Sequence, residues 1–168
     1  GFYQPASECG GDWWYYNTIG NKIYLWIGDA TGHGVPAALV TSAAKSASSV
    51  IEQMPETPLP KVLEILNNAI HDTARGKIAM TFFLGCFNKD TGEFSYCNAS
   101  HEAPILIPYK EEQIKKADLV PLMENNGSRM GEKKNSTYSQ SSFQLNPGDS
   151  IVFYTDGVTE CTNNEGDM

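Results

Sequence analysis

The apolar residues of this chain change their spacing twice along its length, and that change restricts the fold more than any single motif does. Trp13 to Tyr16 and Lys22 to Ile27 are rich in aromatic and β-branched side chains, with Ile19-Gly20-Asn21 between them as turn material, which predicts a β-hairpin. Gly32-His33-Gly34-Val35-Pro36 then leads into an Ala/Ser/Val segment from Ala37 to Gln53, with Pro36 placed where a first helical turn tolerates it. After the break at Met54-Pro55-Glu56-Thr57-Pro58, the residues Val62, Leu63, Leu66, Ala69 and Ile70 recur at helical spacing and predict a second, amphipathic helix. From Ile78 onward strand signals return. Ala79 to Phe87, a turn from Asn88 to Gly92, Glu93 to Asn98 and Pro104 to Ile107 are expected to form an antiparallel meander.

The stretch from Lys110 to Lys134 mixes charge, Asn and Gly, and is expected as surface loops around a short strand near Leu119 to Leu122. Thr137 to Leu145, the turn Asn146-Pro147-Gly148-Asp149 and Ser150 to Tyr154 are expected as a last hairpin that delivers Thr155-Asp156-Gly157 at its end. Strands, two helices and strands again make the chain α+β. Its 168 residues, 40% apolar, suit one compact domain over residues 1–168. The first residue is not Met, and the last follows a turn-like segment, so the domain is expected to be excised from something longer.

Twelve basic residues against twenty acidic ones leave a net charge of −8, which argues against nucleic acid or an anionic membrane as partner. Cys9, Cys86, Cys97 and Cys161 are scattered singly, without zinc-site spacing or the density of a disulfide scaffold, and are expected as free thiols in a reducing cytoplasm. No apolar run approaches the roughly 20 residues that span a bilayer, and the N-terminus has no signal-peptide pattern.

Three aspartates carry the chemistry, because each begins or ends a strand and touches glycine: Gly11-Asp12, Gly28-Asp29 and Asp156-Gly157. Any one of them alone is ordinary turn chemistry. Strand ends meeting at one rim would gather all three, and carboxylates that close repel one another unless a hard divalent cation such as Mg²⁺ or Mn²⁺ sits between them. Zinc is disfavoured, since no paired His or Cys ligands lie nearby. Gly10-Gly11-Asp12 is followed by Trp13-Trp14, which fails the Gly-Gly-Asp-Glu-Phe pattern of diguanylate cyclases, and no Gly-x-x-x-x-Gly-Lys-Ser/Thr loop is present.

The segments from Pro5 to Asp12, from Gly28 to Gly34 with Ala37-Ala38-Leu39, and from Tyr154 to Glu160 resemble the PPM phosphatases, also called protein phosphatase type 2C, and are most similar to the bacterial SpoIIE/RsbU branch. Met80-Thr81-Phe82, Asn98 to His101 before Pro104, and Leu145 to Asp149 follow in the right order, so the resemblance covers nearly the whole chain. It implies an αββα sandwich of two antiparallel sheets flanked by helices, here C-terminally truncated and lacking the family's last helix and strand. It also implies a pair of Mn²⁺ or Mg²⁺ ions at a catalytic centre of Asp12, Asp29 and Asp156. Asp29 would bridge the two metals, Asp12 and the Ala30 carbonyl would hold one, and Asp156 the other. Two cations roughly 3.5–4 Å apart acidify a bridging water for in-line attack on a phosphoryl group.

The substrate so implied is a phosphorylated STAS-type anti-sigma antagonist or similar phosphoprotein in partner-switching control of sigma factors. An upstream sensory or regulatory segment is implied with it. The rival is a weakly active or inactive PPM-like sensor that binds partners, which the family's further Asp, on a strand beyond Met168, keeps open. A second departure is Ser100, where family members commonly have Gly. Among the remaining polar residues, His33 is either a phosphate contact or a loop-ordering side chain, and Thr81 is expected to pack in a strand. Glu8 and Glu160 either support the metal ligands or are merely solvated. His71 and His101 are given no chemical role.

Overall fold

The computed structural model describes residues 1–2 and 10–160. Strands β1 (Asp12–Ile19) and β2 (Lys22–Ala30) pair antiparallel around the tight turn at Gly20-Asn21, in a register that sets Ile19 opposite Lys22 and Asp12 opposite Asp29. Helix α1 (Val35–Ile51) starts two residues earlier than its composition predicts, with Pro36 in its first turn, where a missing N–H costs nothing. Helix α2 (Leu59–Ala74) follows and ends at Arg75, which takes the left-handed conformation common at helix C-termini. Strands β3 (Met80–Asn88) and β4 (Glu93–Ala99) form the second predicted hairpin.

From Ser100 onward the path departs from the meander. Ser100 has φ 58°, a left-handed turn that swings the chain off the first sheet, so β5 (Ile105–Ile107) does not pair with β4. It lies instead in a second, three-stranded sheet between β6 (Val120–Pro121) and β9 (Ser150–Val152). The six-stranded sheet runs β1-β2-β3-β4, with the two-residue β7 (Asn126–Gly127) and β8 (Ser141–Gln144) both against β4. Among the described residues every pairing between strands is antiparallel except that of β7, which is parallel. The predicted last hairpin is therefore not one: the Asn146–Asp149 turn carries the chain from β8 in one sheet to β9 in the other. Turn residues dictate a reversal of direction, not the identity of the strand's partner.

Strand alternation divides the core in two. One face of the large sheet, with Trp13, Trp26, Met80, Phe82 and Leu84, packs under the buried stripes of α1 (Ala37, Val40, Ala44, Ile51) and α2 (Val62, Leu63, Leu66, Ile70). Each of the larger aliphatic side chains buried there contributes roughly 1.5–3 kcal/mol of transfer free energy. The small side chains on α1 let that helix lie close to the sheet. The opposite face, with Ile27, Phe83, Phe94 and Tyr96, meets Leu106, Leu122, Ile151 and Phe153 of the small sheet and its flanks. Phe83 and Phe153 touch edge to face across the two sheets at 5.7 Å.

The 110–134 stretch is less superficial than its composition suggests. Leu122 and Met130 are buried, and Asn67 of α2, fully buried, accepts from the Gly131 N–H at 2.9 Å and from the Tyr138 hydroxyl at 3.3 Å, and donates to the Lys133 carbonyl at 2.9 Å. Cys86 and Cys97 are free thiols, while Cys9 and Cys161 lie outside the described residues. No helix among the described residues is long and apolar enough to cross a membrane.

Candidate metal centre

The three aspartates flagged by their glycine neighbours arrive at one place by different routes. Asp12 opens β1 and Asp29 is the penultimate residue of β2, so the hairpin register alone sets them side by side. Asp156 comes from the other sheet: leaving β9, the chain passes Phe153 and Tyr154 and enters the one-turn helix α3 (Asp156–Thr159). Carboxylate oxygens of all three lie within 4.8 Å of one another. The Thr155 hydroxyl donates to Asp12 Oδ2 at 3.2 Å, linking the two sheets at the site itself.

Glycine is required beside this cluster for a reason of space. A Cβ on Gly11 would stand 2.4 Å from the Ala30 carbonyl oxygen and 2.9 Å from Asp29 Oδ1, so only a bare Cα lets those two oxygens converge. Gly28 is constrained in the same way on the other face of β2, where a Cβ would meet Phe82, Met80 and the Thr81 carbonyl at 2.6–2.7 Å. The Gly11 carbonyl extends the ladder past Asp12 by accepting from the Ala30 N–H at 3.1 Å, and it also accepts from the Thr41 hydroxyl of α1 at 2.9 Å.

The electrostatics follow from three like charges held together. Burial, then the neighbouring Asp12 and Asp156 charges, push the Asp29 carboxyl up to about 7, and Glu160 adds a little at longer range. Asp12 is also raised, chiefly by burial, with the Thr155 hydroxyl pulling the other way. Near neutral pH the Asp29 carboxyl is therefore only partly ionised, and a cation among the three would favour its ionised form. An oxygen-only donor set of this size, with a backbone carbonyl alongside, fits Mg²⁺ or Mn²⁺ and offers no soft ligand for zinc.

Around the carboxylates lies a group of polar residues whose contacts the sequence does not reveal. Thr81, opposite Asp29 in the register, sets its hydroxyl 2.9 Å from His101 Nδ1 and 3.5 Å from the Asp29 carbonyl. His101 is only 4% exposed and its Nε2 makes no hydrogen bond; burial lowers it to about 4, so the ring is neutral, with the Tyr154 backbone beside it. The tight turn before it forms although residue 100 is serine: the Ser100 hydroxyl donates to the Gly127 carbonyl at 2.7 Å, its N–H to Asn126 Oδ1 at 2.8 Å, and buried Asn98 bonds the His101 backbone both ways. His33 is exposed on the loop before α1, and Glu160 is exposed at the end of α3. His71 is on α2, 3.4 Å from Asp72, and Glu8 falls outside the described residues.

Comparison with known proteins agrees with this architecture. The family model described as Stage II sporulation protein E (SpoIIE) matches residues 20–168. Phosphoserine phosphatase RsbU of Bacillus subtilis (strain 168) is 32% identical over 164 residues, which cover 96% of this chain and 46% of RsbU, so the chain spans less than half of that relative. Among solved structures, the RsbU and RsbW domains of Rv1364c from Mycobacterium tuberculosis superpose with a TM-score of 0.77 at 28% identity, covering 95% of this chain and 43% of that one. The SiaA-PP2C domain of Pseudomonas aeruginosa gives a TM-score of 0.78 at 19% identity, covering 99% and 64%, a likeness of fold alone. With the family model matched from Gly20 to Met168 and the fold shared with these domains, the chain belongs to the SpoIIE family of PPM-type serine/threonine phosphatase domains.

Proposed function

We propose that residues 1–168 form a Mn²⁺- or Mg²⁺-dependent phosphatase domain that hydrolyses phosphoserine or phosphothreonine on a regulatory protein. The observation that carries this reading is the convergence of Asp12, Asp29 and Asp156 from two sheets onto one point, with the Ala30 carbonyl against the same Gly11 Cα. Asp29, half-buried between the strand carrying Asp12 and the segment carrying Asp156, would hold such cations together with those two carboxylates and the Ala30 carbonyl. When bound there, a pair of divalent cations would supply an activated water and neutralise phosphoryl oxygens during in-line attack.

The chain's own residues do the rest. Thr155 orients Asp12, the Gly11 carbonyl fixes the Ala30 peptide, and Thr81 steadies the Asp29 backbone from the neighbouring strand. The name of the relative RsbU, a phosphoserine phosphatase, supports a phosphoserine substrate, and a STAS-type anti-sigma antagonist in a partner-switching pathway is the protein we assign to that role. The test is release of phosphate from p-nitrophenyl phosphate and from a phosphoserine protein with added Mn²⁺, native chain against Asp29→Asn. Equal, background-level release from both would sink the reading and favour a non-catalytic sensor.

A further inference from the structure

A chain of net charge −8 with three carboxylates at its centre repels a phosphorylated, acidic substrate, yet its basic residues are not spread evenly. Five of the twelve, including both arginines, fall on one rim: Arg75, Lys77, Arg129, Lys133 and Lys134. The backbone ties these positions to the C-terminal half of α2 and brings the segment at Arg129 toward the carboxylates. Lys77 bonds back to Ala74 at the end of α2, and two residues on, the Ala79 carbonyl accepts from both the N–H (2.8 Å) and the hydroxyl (3.0 Å) of Thr31, itself two residues past Asp29. Met80 pairs with Ala30 on one side and exchanges backbone bonds of 2.9 and 2.8 Å with Met130 on the other. Two strand spacings, about 10 Å, therefore separate the backbone around Arg129 from that around Asp29, within reach of an arginine and a bound phosphopeptide. The following residues are fixed to α2, through Asn67 and through Lys134 Nζ on Asp72 at 2.7 Å.

Two carboxylates form ion pairs with this rim among the described residues. Asp72 pairs with Lys134, and Glu132 with Arg129 at 3.4 Å, while Arg75, Lys77 and Lys133 have no carboxylate within 4.0 Å among the described residues. A cation at a helix C-terminus is stabilising on its own account, which explains Arg75. It does not explain Lys77, Arg129 or Lys133, which lie past the last turn or on another segment.

We propose that this rim docks acidic residues flanking the phosphorylated position of a polypeptide substrate. The inference rests on the phosphatase reading above and adds the substrate's charge pattern. A few cations in one place, on an otherwise acidic protein, suit a short acidic segment better than an extended polyanion or an anionic bilayer, which the rest of the surface repels.

Two phosphoserine peptides, identical except for flanking Asp/Glu or flanking Lys, would be offered to the Mn²⁺-loaded protein and to its Lys77→Glu/Arg129→Glu variant. The expected kcat/KM ratio is about tenfold in favour of the acidic peptide, the effect of two or three exposed ion pairs, falling to about one in the variant and in high salt. The neutral pair Lys77→Gln/Arg129→Gln should give an intermediate ratio and guards against misfolding of the reversed one. Equal kcat/KM for the two peptides in the native chain, or a ratio that survives the substitutions, would overturn the proposal. If neither peptide nor p-nitrophenyl phosphate is turned over, the phosphatase reading has failed, and anisotropy of a labelled acidic peptide still decides the rim: binding that is lost in the variant upholds it. Absence of peptide binding, with or without rim-dependent sedimentation on phosphatidylserine vesicles, overturns it.

Discussion

Replacing Asp29 by Asn should make the metal-free protein more stable and the metal-loaded protein less so, and the crossing of those two effects is the most direct test of the centre. In the folded chain the Asp29 carboxyl is raised from 3.8 to about 7 by burial and by Asp12 and Asp156. A carboxyl whose folded pKa lies above its unfolded one costs stability where it must ionise: the cost is absent below about pH 4, grows between pH 4 and 7 and is complete above that. At about 1.4 kcal/mol per pH unit the ceiling is roughly 4 kcal/mol, and solvent reaching this half-buried group screens it to about 2 kcal/mol. For a chain of this size that corresponds to a Tm about 4–8 °C higher for Asp29→Asn at pH 8 in a chelator, with no difference near pH 4. Mn²⁺ at a hundred times its Kd should add about 2.7 kcal/mol to the native chain and little to the variant, reversing their order. Differential scanning fluorimetry at pH 4, 6 and 8, with chelator and with Mn²⁺, reads all of it. A native chain at least as stable as the variant at pH 8 in chelator, or an equal gain from Mn²⁺ in both, would refute the reasoning.

Gly11→Ala should lower stability by about 1–3 kcal/mol and weaken Mn²⁺ binding in calorimetry, because its methyl group meets the Ala30 carbonyl and Asp29. At Ser100, Gly should be within about 0.5 kcal/mol of the native chain, since relief of the left-handed backbone offsets the lost hydroxyl bond, whereas Ala keeps the strain, loses the bond and should cost about 1–2 kcal/mol in urea denaturation. Asn67→Leu strands the Gly131 N–H, the Lys133 carbonyl and the Tyr138 hydroxyl, and should cost about 3 kcal/mol, with faster hydrogen exchange at Gly131 as the local reading. His101, lowered to about 4, contributes stability that is present above its unfolded pKa of 6.5 and lost as pH falls from there toward 4; His101→Phe should flatten that acid limb in thermal melts.

How much of this was readable beforehand depended on the range of the signal. The β1/β2 hairpin and both helices announce themselves through spacing, turn residues and Pro36, all local properties. The three aspartates could be picked out because each is joined to a glycine. The partner of a strand is not a local property, so the turns at Ser100 and at Asn146–Asp149 were visible as reversals while their transfer of the chain between sheets was not. The same limit hid how the hydroxyls of Thr41, Thr81 and Thr155 and the buried ring of His101 reach the site from separate elements. Asn67 shows it again, as a polar residue on an amphipathic helix that bonds three partners more than sixty positions away.

The hairpin register has a consequence far from the carboxylates. Asp12 and Asp29 face each other only because eight residue pairs are counted off from the turn at Gly20-Asn21, roughly 25 Å away along the strands. A shift of the β1/β2 pairing by one residue would carry the Asp12 carboxylate to the helix side of the sheet while Asp29 stayed on the other, dissolving the centre without touching either side chain. One residue inserted at that distant turn should thus abolish cation binding as completely as removing an aspartate. The turn is in effect the ruler against which the centre is assembled.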